Sequence, residues 1–384
     1  MKRQTLCLIL SPLLLPLASC GATAAGDSTI RGSADFAETK PFTTREVAKL
    51  DEPWALALLP ENKSALVTEK KGKLKLVDLT SGVVTDVSGT PQVAYGGQGG
   101  FGDVALSPTF SKDGMVYLTW AEAGDGDTRG AVMGRAKLVR DNTSARLEGL
   151  EVIWRQVPKV TGRGHYSHRI QFSPDGKYLF LSSGERQKFT PAQDLTVNLG
   201  KMLRLTLDGK PAPGNPFADK GGVSAEIWSY GHRNLLGVAF DAEGRLWDIE
   251  HGPAGGDELN LVKPGQNYGW PLVSNGDHYD GKPIPRHNTR PDLAAPALSW
   301  NPVIAPGAMI ICKCDKFPAW KGNALIAALG VQGLVRVTIN GESAKEAERF
   351  NMDARMRGIA EGSDGRLWML QDGPGGQLIE VLPR

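Results

Sequence analysis

One short phrase recurs along this chain: an apolar stretch, a turn built on Asp-Gly or Glu-Gly, then a second stretch ending in an aromatic residue. It reads Ala105-Leu-Ser-Pro with Lys112-Asp-Gly-Met-Val-Tyr117, then Phe172-Ser-Pro-Asp-Gly-Lys-Tyr-Leu-Phe180, Phe240-Asp-Ala-Glu-Gly-Arg-Leu-Trp247 and Gly362-Ser-Asp-Gly-Arg-Leu-Trp368. Weaker copies are Leu59-Pro-Glu-Asn-Lys-Ser-Ala-Leu-Val67 and Trp320-Lys-Gly-Asn-Ala-Leu-Ile326. Asp-Gly between apolar runs is a strong hairpin signal, because glycine accepts the positive φ of a tight turn. Four strong and two weak copies, unevenly spaced, predict six units. Each is a small antiparallel sheet that cannot bury both faces alone. Radial repetition about a channel solves that problem and leaves only short edges. The prediction is an all-β chain folded as a six-bladed β-propeller over residues 41–384, with a solenoid or sandwich as the structural alternative. A strand near Phe42–Val47 is expected to close the ring against the last blade. No long amphipathic helix is apparent.

The residues before the propeller read as targeting rather than fold. Residues 1–19 form a signal peptide: Lys2-Arg3, then an apolar stretch from Leu6 to Leu17 that is too short to span a bilayer. Leu17-Ala-Ser-Cys20 has the form of a lipoprotein leader, with Cys20 as a lipid anchor. Cleavage within Cys20-Gly-Ala-Thr-Ala-Ala25 is the equal alternative and leaves a free periplasmic protein. Residues 20–40 are a flexible lead-in. Removing Lys2 and Arg3 takes the net charge from +2 to 0. A neutral chain without basic runs excludes nucleic acid as a partner, since that binding needs clustered Lys and Arg. Cys312 and Cys314 read as two small buried side chains, because same-face residues of a strand lie ~6.5–7 Å apart, at the limit for a bridge. A strained disulfide is the alternative.

Three separated segments carry candidate chemistry. Arg163-Gly-His-Tyr-Ser-His-Arg169 places His165 and His168 on a glycine-flanked loop, more exposed than a core histidine and with a reference pKa suited to a general base. In an extended stretch the two face opposite ways, so they do not serve one atom. A hydrogen-bonded loop histidine is the plain alternative. Arg233 and Asn234 end a strand that begins near Ile227. Arg233 offers a bidentate fork for oxyanions and Asn234 both donor and acceptor; a turn whose Arg pairs with a surface acid is the plain alternative. Glu250-His-Gly-Pro-Ala-Gly-Gly-Asp-Glu-Leu-Asn260 gathers carbonyls and carboxylates, the ligands Ca²⁺ takes. No EF-hand spacing or thiolate cluster for zinc accompanies it. Asp125-Gly-Asp127 reads as a turn. Tyr95-Gly-Gly-Gln-Gly-Gly-Phe-Gly102 lacks the strand–loop–helix context of a dinucleotide fingerprint. It suits a loop lying close to a flat ligand, with Gln98 at the ligand's edge, or else a plain connection.

These segments, taken in order, resemble the soluble glucose/sorbosone dehydrogenase family, near the bacterial aldose sugar dehydrogenases that use pyrroloquinoline quinone. The resemblance runs from about Phe42 to the C-terminus. It is carried by Gly-Gln-Gly-Gly at 97–100, His-Tyr-Ser-His-Arg at 165–169, Gly-His-Arg-Asn at 231–234, Glu-His-Gly-Pro at 250–253, Asp-Glu-Leu-Asn at 257–260 and Asn-Tyr-Gly-Trp-Pro at 267–271. It implies a six-bladed propeller that oxidises aldoses to lactones, with His165 taking the anomeric hydroxyl proton and hydride passing to quinone carbon C5. Gln98 and Glu185 would lie beside the cofactor, Glu185 standing where relatives place an Asp near His165. Arg233 would stabilise the growing oxyanion with Asn234 beside it, Tyr279 would be a further contact, and Arg355 and Arg357 would face the cofactor's carboxylates. The carbonyls of Gly252 and Pro253 would hold the cofactor's Ca²⁺, and the Glu258 side chain and Tyr268 carbonyl a second, structural ion. The electron acceptor beyond the quinone is not specified by any motif.

One departure stands out. Around Ala327-Ala-Leu-Gly-Val-Gln-Gly-Leu-Val335 relatives carry Ser-Leu-Lys and a further base, where this chain has Gly330 and Gly333. Either other groups compensate, the quinone binds weakly, or the pocket takes another ligand. A calcium-dependent lactone or ester hydrolase and a non-catalytic sugar-binding propeller are therefore the rival readings; the ring of arginines disfavours the hydrolase.

Overall fold

The computed structural model describes residues 35–384 apart from Asn142. The signal peptide, Cys7, Cys20 and most of the lead-in lie outside the described residues. At the end of the lead-in, the Ala37 amide donates to the Arg349 carbonyl at 2.8 Å.

The described chain is all-β, and its one α-helix is four residues long, Phe110–Asp113. The strands begin with β1 (Phe42–Asp51), β2 (Pro53–Leu58), β3 (Ser64–Glu69), β4 (Lys73–Asp78), β5 (Val84–Ser88) and β6 (Phe101–Leu106). There follow β7 (Met115–Ala123), β8 (Thr128–Arg140), β9 (Ala145–Arg155), β10 (Val160–Thr161), β11 (Ser167–Phe172) and β12 (Tyr178–Ser183). Next come β13 (Lys201–Thr206), β14 (Ile227–Tyr230), β15 (Leu235–Phe240), β16 (Leu246–Glu250), β17 (Asp257–Val262) and β18 (Leu298–Trp300). The last are β19 (Pro306–Ile311), β20 (Ala324–Ala328), β21 (Gly333–Asn340), β22 (Ser343–Asn351), β23 (Met356–Glu361), β24 (Leu367–Gln371) and β25 (Pro374–Pro383).

Within each run of four, consecutive strands pair antiparallel. Four-stranded sheets comprise β11 to β14, β15 to β18, β19 to β22, and β23 to β25 with β1 added beside β25. The runs β2 to β5 and β6 to β9 are joined into one nine-stranded sheet, with β10 beside β8. That junction is a short parallel contact, Val87 with Ala145 and Ser88 with Arg146. The first strands of the runs touch in a closed cycle, β2 to β6, β11, β15, β19, β23 and back to β2. Sheets ringed about an axis in this way are the arrangement of a β-propeller. As expected, an early strand shuts the ring: β1 pairs with β25 from Phe42–Pro383 to Asp51–Pro374.

Every copy of the recurring phrase falls between the first and second strands of a run, from β2–β3 at Asn62 to β23–β24 at Gly365. Gly176, between β11 and β12, adopts φ 68° there, a conformation costly to a residue with a Cβ. Strands facing neighbours on both sides lose the alternation of a half-buried sheet. Ala324–Ala328 is buried at every position. Between the last run and the first, Trp368 and Leu370 pack on Ala65 and Val67. Burying a large apolar side chain contributes roughly 1.5–3 kcal/mol, and such layers between neighbouring runs form the core.

The structure corrects the reading of Cys312 and Cys314, which form a disulfide across a Cα separation of 5.0 Å. The expectation assumed an extended strand. β19 ends at Ile311, and Cys314 turns to φ 57°, so the two residues come closer than strand geometry allows. The Glu361 carboxylate holds that turn, accepting the Lys313 amide at 2.8 Å and the Cys314 amide at 2.6 Å.

Candidate active site

Antiparallel runs have two ends. Asp-Gly turns take one end, so the connections into each first strand and from second strand to third lie at the other. Gln98 enters β6, His165 enters β11, Arg233 and Asn234 enter β15, and Arg355 precedes β23 with Arg357 inside it. Glu185 follows β12, and Gly252 and Pro253 follow β16. The expectation that Arg233 and Asn234 end a strand is corrected: β14 stops at Tyr230, and they stand in the connection beyond it.

Two cavities open among these connections. An axial one of about 300 Å³ is bordered by Trp54, Lys70, Gln98, His168, Asn234, Arg355 and Arg357. A neighbouring one of about 400 Å³ is bordered by His165, Glu185, Arg233, Pro253, Trp270 and Tyr279. Gln98 links them, since its Oε1 accepts the His165 amide at 2.7 Å. His251 lies within electrostatic reach of His165, Arg233 and Arg357 together. The structure therefore gathers the predicted imidazole and guanidiniums at one end of the ring.

His165 is buried, correcting the expectation of a more exposed loop histidine. Its Nδ1 contacts Glu185. Burial lowers its pKa first, the Glu185 hydrogen bond partly opposes this, and Arg233 pushes it down further. The ring is thus neutral near pH 7, and an Nδ1–H given to Glu185 leaves the Nε2 lone pair free. Burial pushes the Glu185 carboxyl up, but His165, the Phe189 amide and Arg233 outweigh it and keep it ionised. His168 borders the other cavity, as expected of two histidines that do not share an atom. The reason is not strand alternation, however, because His165, Ser167 and His168 have φ 49°, 57° and 54°. His168 stacks on Trp54 (centroids 5.1 Å apart), its Nδ1 lies 2.8 Å from Thr119 Oγ1, and burial, followed by Arg169, pushes its pKa down to about 3.

Arg233 is fixed at both ends. Its amide donates to Glu250 Oε2 at 2.7 Å, and its guanidinium to the His251 carbonyl at 3.1 Å and the Tyr279 hydroxyl at 3.2 Å. Its Nε is buried without a partner among the described residues. Asn234 accepts the Ser167 hydroxyl at 3.2 Å. Arg355 and Arg357 donate through Nε to opposite oxygens of Asp372, at 3.0 and 2.8 Å. Asp372, Lys70 and His251 escaped the sequence reading. Nothing in Gln371-Asp-Gly373 separates Asp372 from another turn.

The four candidate metal residues, Gly252, Pro253, Glu258 and Tyr268, all border one void of about 10 Å³, close to the smallest space that holds a water or an ion. Among the described residues no backbone amide donates to the Gly252 or Pro253 carbonyls. Glu258 faces His287 at 3.1 Å; burial lowers the His287 pKa, but Glu258 outweighs it and raises it. Free carbonyls beside a carboxylate fit Ca²⁺. No cation comes from the β20–β21 connection. A Cβ on Gly330 would lie 2.9 Å from the Ile304 carbonyl oxygen, and one on Gly333 2.6 Å from that of Phe350.

The chain is similar in sequence and fold to known proteins. The family model of glucose/sorbosone dehydrogenases matches residues 50–380. Aldose sugar dehydrogenase YliI of Escherichia coli (strain K12) is 38% identical over 344 residues, covering 88% of this chain and 91% of the relative. The apo-form crystal structure of the soluble E. coli aldose sugar dehydrogenase superposes with TM-score 0.83 at 36% identity, covering 89% of this chain and 100% of that one. The PQQ-bound aldose sugar dehydrogenase of Streptomyces coelicolor gives TM-score 0.75 at 29% identity, over 91% of this chain and 99% of that one. By sequence and by structure, the chain belongs to the glucose/sorbosone dehydrogenase family.

Proposed function

We propose that this protein is a quinone-dependent oxidoreductase that oxidises aldose sugars at the anomeric carbon to lactones. The observation that carries the reading is a buried, neutral His165 held by Glu185, sharing its cavity with Arg233 and the Pro253 backbone. His165 Nε2 takes the proton of the anomeric hydroxyl. Arg233, anchored through Glu250, presents fixed positive charge where negative charge develops, and one such donor is worth roughly 3–4 kcal/mol. Gln98, Asn234, Arg355 and Arg357 would hold the flat anionic cofactor in the axial cavity. Pyrroloquinoline quinone, when bound, would supply the hydride acceptor. The Gly252 and Pro253 carbonyls would hold its Ca²⁺ on the side where Pro253 borders the His165 cavity, and Glu258 and the Tyr268 carbonyl would offer ligands to a second ion in the small void. That a Streptomyces coelicolor relative is PQQ-bound supports the cofactor. We read the nine-stranded sheet as two blades joined at β5–β9, which makes six blades in all.

A hydrolase working through a serine relay gains no comparable support. Ser229 Oγ lies 2.8 Å from His232 Nε2, and His232 Nδ1 lies 3.0 Å from Glu250, the order of a serine relay. Ser229 is fully buried, so no ester reaches its oxygen.

The test is to load purified protein with Ca²⁺ and the quinone and follow dye reduction by glucose. Removing a general base costs roughly 10²–10⁴ in rate. His165→Ala should lose that much, whereas His168→Ala should keep measurable turnover. Lactone cleavage without quinone, or no turnover by the loaded wild type, would overturn the reading.

A further inference from the structure

Three cations border the axial cavity, and Lys70 is the one not anticipated from the family pattern. It stands on the connection from β3 to β4, in a different run from Gly330 and Gly333. One of its N–H groups donates to the Gly97 carbonyl at 3.1 Å, beside Gln98. Its nearest carboxylate oxygen, on Glu52, is 3.9 Å away, while the other Glu52 oxygen already takes the Tyr95 hydroxyl at 2.7 Å. An ammonium has three donors, so Lys70 keeps hydrogen-bonding capacity for a ligand. Arg355 and Arg357 likewise commit Nε to Asp372, and their guanidiniums make no further hydrogen bond among the described residues.

Charge decides how much Lys70 matters. The cavity wall carries Lys70, Arg355 and Arg357 against Glu52 and Asp372, a surplus of one positive charge. Without Lys70 the wall is neutral. A polycarboxylate entering a desolvated cavity needs paired cations, since an unpaired buried carboxylate is costly. The β20–β21 connection cannot supply one, because a Cβ at Gly330 already presses on Ile304 and Ala305.

We propose that Lys70 provides the cation that Gly330 and Gly333 omit, its ammonium binding a carboxylate of the cofactor at the Gln98 edge of the axial cavity. This rests on the quinone reading above and assigns a further cofactor-binding residue within it.

The test is equilibrium binding of pyrroloquinoline quinone, followed by its absorbance, to the calcium-loaded protein at several salt concentrations. Lys70→Met should raise Kd at least about tenfold, as expected for loss of a hydrogen bond to a charged group. It should also flatten the dependence of Kd on salt, which screens charge contacts. Lys70→Gln keeps a donor for Gly97 but no charge and should behave like Lys70→Met. Lys70→Arg should stay within about threefold of the wild type. Thermal melting of each apo variant checks the fold independently. Wild-type affinity and salt dependence in a folded Lys70→Met protein would overturn the assignment, as would rescue by Lys70→Gln. A folded wild type that takes up no quinone would instead overturn the function reading beneath it.

Discussion

His165 presents Nδ1 to Oε1 of Glu185, and the two carboxylate oxygens of that glutamate also accept the amides of Gln187, Lys188 and Phe189 at 2.9, 2.6 and 2.6 Å. The acid is thus set by its own loop before it meets the imidazole. Glu185 raises the His165 pKa against burial. Glu185→Gln should therefore lower kcat by about 10² and move the acid limb of the rate profile to lower pH. The reason is that neutral imidazole is the working form and loses a group favouring its protonation. An unmoved acid limb in that variant would show that Glu185 does not govern the base.

His168 makes a separate, thermodynamic prediction. Its folded pKa of about 3 lies below the ordinary 6.5. Between those values the unfolded chain binds a proton that the folded one does not. Its contribution is complete above pH 6.5 and is lost as pH falls toward 3, with a slope of about 1.4 kcal/mol per pH unit. Urea unfolding of His168→Gln from pH 4 to 6 should show a stability slope smaller than wild type by about that amount. Identical slopes would mean His168 is protonated in the fold.

Arg169 ties the inner strands together. Its guanidinium donates to the Leu236 carbonyl at 2.8 Å, Asp103 at 3.2 Å and the Gly307 carbonyl at 2.6 Å, and lies 3.9 Å over the Trp54 ring. These partners come from β15, β6, β19 and β2. Arg169→Met leaves Asp103 buried without its cation and should cost about 3–5 kcal/mol. Adding Asp103→Asn should recover part of that loss, because contacting residues are not additive. A double variant as unstable as the two single losses summed would argue against their coupling.

The Cys312–Cys314 bridge closes only a three-residue loop. Such a short closure is expected to contribute roughly 1–2 kcal/mol. Neither cysteine borders the axial cavity or its neighbour. Cys312→Ala with Cys314→Ala should lower Tm by a few degrees and leave dye reduction unchanged. Loss of turnover in a folded double variant would contradict this.

Much of the architecture was legible because one turn chemistry repeats: Asp-Gly at 113–114, 175–176 and 364–365 demands a reversal whatever surrounds it. The ordered motifs named the residues that meet at the ring's end. Burial was not readable. His165 looks exposed beside glycines, yet a run of positive φ folds its loop back beneath the connections from other runs. Asp372 lies in a dipeptide indistinguishable from a turn, and its role depends on Arg355 and Arg357 arriving from another strand. Cys314 defeated strand arithmetic by leaving the extended conformation, which composition cannot forecast.

The pairing of β1 with β25 has a consequence for synthesis. A chain emerging from the ribosome N-end first exposes Phe42–Asp51 while every intervening strand is made, and its partner consists of the ten residues Pro374–Pro383. Completion of the ring therefore waits until Pro374–Pro383 has been made. A stop codon just before Pro374 would leave both neighbours of that missing strand, β24 and β1, with open edges.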